Sequence, residues 1–242
     1  MHPARRDPID LPPGGDLFPS TRWSMLGRPA AGGTRAPDLD ALARSYWTPI
    51  HAWLRARHTD EVDARDATQE FFAWLIESRA IEQVDPARGR FRAFLKTALR
   101  SYAIDRDRRR RAAKRGGGRA AAPLDGDEPH ASADPAPDAA LDAAWRAEMV
   151  ERTLKRLEVE MCGSGHETRW LVFRDYFLAP DPGIDHATLA RRHGVDAIAV
   201  SNHLRHAKVR LRALLREAVR DTVSSQGDLD SELRWLVDED PA

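Results

Sequence analysis

The stretch Asp185–Leu215, DHATLARRHGVDAIAVSNHLRHAKVRLRALL, decides how the whole chain is read. Asp185 can cap a short helix, because its carboxylate accepts from amides that a helix start leaves without partners. Ala190 is small, as two helices crossing at close range require. Gly194, four residues on, suits a tight turn that needs positive φ. Val200, ten residues after Ala190, opens an apolar stripe continued by Leu204, Ala207 and Leu211. Rotating by about 100° per residue puts Ile198, Asn202, Arg205 and Arg212 on the opposite face, with His206 and Lys208 at its margins. Those types suit a DNA-reading helix: Asn can pair with adenine, Arg with guanine or phosphate, and Ile can touch a thymine methyl. A plain amphipathic helix pair with a solvated basic face is the alternative. The spacing of small residue, glycine and valine, joined to the basic outer face, favours a helix-turn-helix.

Upstream lies a second basic helix, expected from about Arg88 to beyond Arg110. Phe91, Phe94, Leu95, Ala98, Leu99 and Tyr102 form its apolar stripe, while Arg92, Lys96, Thr97 and Arg100 are expected to project away. Its end, DRDRRRRAAKR, is too charged to bury. A row of cations along phosphates releases counterions and binds with strong salt dependence. Asp105 falls near the stripe, and a local pair with Arg108 or Arg109 is expected to satisfy it.

The helix before that, roughly Asp60 to Ala80, is acidic. Phe71, Phe72 and Leu75 mark its buried side. Asp63, Asp66, Glu70 and Glu77 share another side with Trp74, which reads as an interface anchor among carboxylates; a Trp tucked sideways into the core is the alternative. No His or Asn stands at ligand spacing on that face, so a metal centre is not expected there. Before it, Asp38–His58 has Leu39, Leu42, Tyr46, Ile50, Trp53 and Leu54 at helical spacing, with Pro49 expected to kink the helix or end its first half.

Formal net charge over the 242 residues is zero, which alone argues against a nucleic-acid partner. The charge is segregated, however. Arg88–Arg119 carries thirteen Lys/Arg against two Asp, and Pro123–Asp142 carries six acids and no Lys/Arg. The single cysteine, Cys162, excludes an internal disulfide, and one Cys four residues from His166 reads as incidental rather than a metal site. No apolar run suggests a signal peptide or a membrane span, so a cytoplasmic protein is expected. The fold class is all-α: two small helical domains joined by a flexible linker. The expected divisions are a disordered 1–16, a helical domain over 17–115 that opens with a capped helix at TRWSMLGR, an Ala/Pro/Gly-rich linker over 116–138, a helix-turn-helix domain over 139–220 with helices at 139–161, 167–178, 185–193 and 197–220, and an acidic tail over 221–242.

In this order the motifs carry a likeness. DxxQExF from Asp66, FRxFLxTALRxxxIDRxRRRR from Phe91, a linker and AVSNHLRHAKVRLR from Ala199 resemble the extracytoplasmic-function sigma factors of bacterial RNA polymerase, within the sigma-70 family. FPSTRWSMLGR (18–28), QEFF and KRGGG resemble a subgroup of them. The resemblance implies a sigma N-terminal helical domain and a C-terminal helix-turn-helix domain. It implies that Asp66, Gln69, Glu70, Phe72 and Trp74 bind the clamp helices of the largest catalytic subunit of core RNA polymerase. Arg92, Lys96, Arg100, Ser101, Arg106 and Arg108 would contact the melted promoter element. Ile198, Asn202, Arg205, His206, Lys208 and Arg212 would read the upstream element. Melting of this kind is binding rather than chemistry, with capture of unstacked bases offsetting lost pairing. The chain departs from the family pattern at Ser101, where Asn is common, at Phe94, where Trp is common, and at Ser201 and His203, where Lys and Arg are frequent.

The implied partners are core RNA polymerase and promoter DNA, with room for an anti-sigma protein and no membrane. No catalytic residue, metal or cofactor is expected, since no phosphate loop, nucleophile elbow or Ser/His/Asp set occurs. A helix-turn-helix regulator acting without polymerase is the alternative, and a DNA-processing enzyme a remoter one. The tail has Leu229, Leu233, Trp235 and Leu236 at helical spacing, which suits a short helix that packs on a sigma domain and damps DNA binding until polymerase displaces it; a solvated tail is the alternative.

Overall fold

The computed structural model describes residues 39–57, 60–78, 80, 90–114, 135–179, 181 and 183–237. The expectations for 1–16, for the helix at TRWSMLGR, for KRGGG and for the linker between 115 and 134 lie outside the described residues. The chain is all-α. Among the described residues there are eight helices, and the one strand-like feature is an isolated antiparallel bridge between Arg90 and Val223.

The first three helices are α1 (Leu39–Arg57), α2 (Glu61–Glu77) and α3 (Phe91–Lys114). α1 runs through Pro49 without ending there. Its residues Leu42, Tyr46, Ile50, Trp53 and Leu54 are buried, while the side chain of Leu39 lies outside the described set. α2 starts where Asp60 accepts from the Val62 amide at 2.9 Å, a side-chain cap for a helix start. Phe71 and Leu75 of α2 and Phe91, Leu95, Leu99 and Tyr102 of α3 complete the packing against α1.

α4 (Pro135–Gly163), 29 residues, is the longest helix among the described residues, and it connects two cores. Its first half places Leu141 and Trp145 in the core of α1–α3, where Trp145 stacks on Tyr46 with ring centroids 5.1 Å apart. Trp53 donates to Asp138 at 2.9 Å, and Arg152 donates to the Ser45 carbonyl, so α1 and α4 are fastened at both ends. The second half sends Leu157 and Met161 into another core with α5 (Glu167–Phe177) and α7 (Ala197–Arg220). Residues 135–138, expected in the linker, are therefore helix, and residue 139 falls inside a strut shared by both cores.

α6 (His186–His193) and the first half of α7 pack against α5 through Val172, Leu189, Val200 and Leu204. α8 (Gln226–Val237) folds back after a turn at 221–225. Leu229 and Leu236 close over Val219 and Val223, with Trp235 and Met149 beside them.

Candidate nucleic-acid interface

The helix-turn-helix is assembled by local chemistry. Asp185 accepts from the Thr188 amide at 2.7 Å, which starts α6. Gly194 ends it with φ +64°, a left-handed conformation that glycine adopts without the strain a side chain brings. Asp196 then accepts from the Ala199 amide at 2.6 Å and starts α7. Buried Leu189, Val200 and Leu204 fix the crossing, and Ala190 packs beside them. A buried carboxylate ties the unit to its support. Asp175 of α5, 6 % exposed, accepts from Arg174 at 2.8 Å, Arg192 at 3.3 Å and His193 Nε2 at 3.0 Å. Burial favours its neutral form, yet the hydrogen bonds from Arg174, Arg192 and His193 outweigh that and lower its pKa. The sequence reading missed Asp175; the signal was an acid inside the apolar run WLVFRDYF.

All six residues assigned to upstream reading are exposed on α7. Ile198, an apolar side chain, is 75 % exposed. Arg205 donates to Asn202 at 3.4 Å, so the two are neighbours on one face. Arg205, Lys208 and Arg212 line an open groove with Tyr176, His186 and Ser201, and Lys208 sits over the Phe177 ring at 4.7 Å. His206 stands on the other flank, in a groove with His166 and Arg169. Exposed Val209 lies between the flanks and was not picked out from the sequence.

The basic face of α3 differs from expectation. Arg92, Lys96 and Arg100 do not project freely; carboxylates from α4 and α8 meet them. Arg92 donates to Glu232 at 2.7 Å and to Asp142 at 2.6 Å. Lys96 pairs with Asp142 at 2.7 Å, and Arg100 with Asp138 at 2.5 Å. Arg90 reaches Asp228 at 3.1 Å and Glu232 at 3.2 Å. Burial opposes the charge on Arg92, but Glu232 and Asp142 prevail and raise its pKa. Trp235 covers the guanidinium of Arg92 at 3.7 Å. Further along, Ser101 and Arg108 are exposed, and Arg106 pairs with Glu70 at 3.0 Å. The local pair expected for Asp105 is not its carboxylate's contact: that carboxylate accepts from the indole of Trp74 at 3.3 Å, while Arg109 donates to the Asp105 backbone carbonyl.

That bond also places Trp74. It is half-buried between Phe71 and Tyr102, so it leans onto α3 instead of standing among carboxylates in water. Phe72 is half-buried and stacks on Trp47. Asp66 and Gln69 are exposed. Glu70 is tethered by the Tyr102 hydroxyl, which donates to it at 3.0 Å, and by Arg106; burial and then Glu70 push the Tyr102 pKa upward.

Cys162 is a free, exposed thiol. No group of three His, Cys, Asp or Glu among the described residues is gathered closely enough to hold a metal ion. No described helix is long and apolar enough to cross a membrane.

Residues 42–113, which span α1 through nearly all of α3, match the family model of Sigma-70 region 2. Comparison with curated proteins gave no match, and neither did comparison with solved structures.

Proposed function

We propose that the chain, whose residues 42–113 match Sigma-70 region 2, is a sigma factor of the sigma-70 family that directs core polymerase to promoters through two separate DNA contacts. The observation that carries this reading is the order of parts. A region 2 unit of three packed helices is followed by a side-chain-capped helix-turn-helix whose outer face carries Ile198, Asn202, Arg205, Lys208 and Arg212. Asp66 and Gln69 of α2 meet the clamp helices of the largest polymerase subunit, with Glu70, Phe72 and Trp74 shaping the surface beneath. α3 holds the unstacked strand of the element near the start site through Arg92, Lys96 and Arg100, with Ser101, Arg106 and Arg108 extending the track. α7 reads the upstream element in the major groove, with His206 at its edge. Charge-assisted contacts of this kind position and hold DNA; none needs a reacting side chain. In this reading the protein works where polymerase is, in the cytoplasm, and its motifs resemble those of the extracytoplasmic-function branch.

The test is co-migration of the purified full chain with core polymerase in gel filtration. Asp66→Lys with Gln69→Lys is expected to weaken the complex, because both side chains are exposed and their replacement leaves the fold alone. Glu70 is a poorer probe, since its loss also frees Tyr102 and Arg106. A chain that binds operator duplex specifically while ignoring core polymerase would be a regulator and would end the sigma reading.

A further inference from the structure

We propose that in the free chain the face formed by Arg90 and by Arg92, Lys96 and Arg100 of α3, which the sigma reading assigns to a single strand of DNA, is held closed by the chain's own carboxylates, with α8 and the start of α4 standing where phosphates go. The inference rests on the sigma reading only for the identity of the strand.

Three observations converge. Arg92, Lys96 and Arg100 rise along α3 one turn apart, about 6 Å, with Arg90 just before the helix begins. Each step is met by a carboxylate: Glu232 and Asp228 at the first, Asp142 at the second, Asp138 at the third. These acids come from two segments far apart in sequence, 138–142 and 228–232, so the match is a tertiary arrangement rather than local pairing. Second, Glu232 is 1 % exposed and Arg92 is capped by the Trp235 ring, the stacked-base position in miniature. Third, the contact runs from the same turn that ends α7. Phe91 donates to the Thr222 carbonyl at 3.0 Å, and Val223 bridges to Arg90. The cover is therefore hinged directly to the helix proposed to read the upstream element.

The energetics permit exchange. A buried ion pair roughly breaks even against its hydrated partners, because desolvation offsets attraction. Swapping carboxylates for phosphates keeps the cations paired and returns the carboxylates to water. What holds the cover is apolar, Leu229 and Leu236 against Val219 and Val223. Binding to core polymerase or to DNA can thus displace α8 without stranding a charge on α3. Apparent affinity of the free chain for a strand is reduced by the fraction of time the face is covered.

The experiment is fluorescence anisotropy of a labelled single-stranded DNA oligonucleotide at fixed low salt, with three full-length chains and one truncation. Asp228→Asn with Glu232→Gln is expected to bind at least about fivefold more tightly than the unaltered chain, and deletion of 226–242 to do the same. Adding Arg92→Gln and Lys96→Gln to the Asn/Gln variant is expected to remove the gain. Hydrogen exchange of the unaltered chain supplies an independent reading: amides of 226–237 are protected in the free chain and lose protection when core polymerase or excess oligonucleotide is added. Unchanged affinity in the Asn/Gln variant, a gain that survives loss of Arg92 and Lys96, or undiminished protection of α8 in the complex would each overturn the proposal. Failure to bind core polymerase sinks the sigma reading instead, and leaves the oligonucleotide result to stand or fall alone.

Discussion

Replacing Asp175 with Ala should loosen the platform on which the recognition helix stands. Its side chain is 9 % exposed and takes hydrogen bonds from Arg174, Arg192 and His193, thereby joining α5 to the end of α6. Removing one partner of a buried pair costs about 3–5 kcal/mol when the orphaned charge stays buried. Here Arg174 and Arg192 are 46 % and 44 % exposed and can rehydrate, so most of that penalty is avoided. His193, 9 % exposed, keeps a donor without an acceptor. The remaining loss is that of a few charge-assisted hydrogen bonds, about 2 kcal/mol in all. In urea this is a midpoint shift of about 1 M. The pH dependence carries the sign. The folded pKa of Asp175 is lowered, so its contribution is complete above the unfolded value near 3.9 and is lost as pH falls through the lower folded value. The gap between the two proteins should thus be full at pH 6 and close below about pH 4. Chemical denaturation followed by circular dichroism at pH 6 and pH 3 checks this. A gap below about 0.3 M at pH 6, or one of equal size at both, would refute the reasoning.

Trp145→Ala should cost about 3–5 kcal/mol, because a fully packed Trp is removed from the joint between α4 and α1–α3; differential scanning calorimetry reads it. Asp196→Ala removes the cap of α7 and should lower stability by about 1 kcal/mol, with thermal melting as the check. Arg205→Ala should leave the melting temperature unchanged, since the side chain is exposed, and weaken binding to a cognate upstream element by about 1–3 kcal/mol, measured by anisotropy. The pKa of His203 is lowered, first by burial and then by Arg169, His206 and His166. The unfolded chain therefore takes up its proton first, and stability falls as pH drops below 6.5 through the lower folded value. His203→Gln should flatten that part of the denaturation-against-pH curve.

Local codes were legible without coordinates. Asp185 and Gly194 announce their turn because capping and positive φ are properties of single residues in sequence; Asp196, which caps α7 by the same rule, was not picked out. The stripes of α1, α2, α3 and α7 follow from a 3.6-residue period. Long-range pairing was not legible. A helical wheel assigns Arg92, Lys96 and Arg100 to the outside of α3, but it does not know that Asp138, Asp142 and Glu232 arrive from elsewhere to meet them. The same blindness left Trp74 open between an interface anchor and a residue tucked sideways, and paired Asp105 with its own helix, when the two bond each other across helices α2 and α3. The strut role of α4 escaped notice for a different reason: its start abuts an Ala/Pro-rich stretch, and composition alone blurred where the helix begins.

The proposed role is to turn core polymerase into an enzyme that opens DNA at chosen places. In vitro transcription from a genomic fragment library with core polymerase and the purified chain, followed by start-site mapping, tests it directly. Discrete start sites are expected that share two upstream sequence elements and that vanish when Arg92 and Lys96 are replaced together. Transcripts starting at random, indistinguishable from those of core polymerase alone, would contradict it.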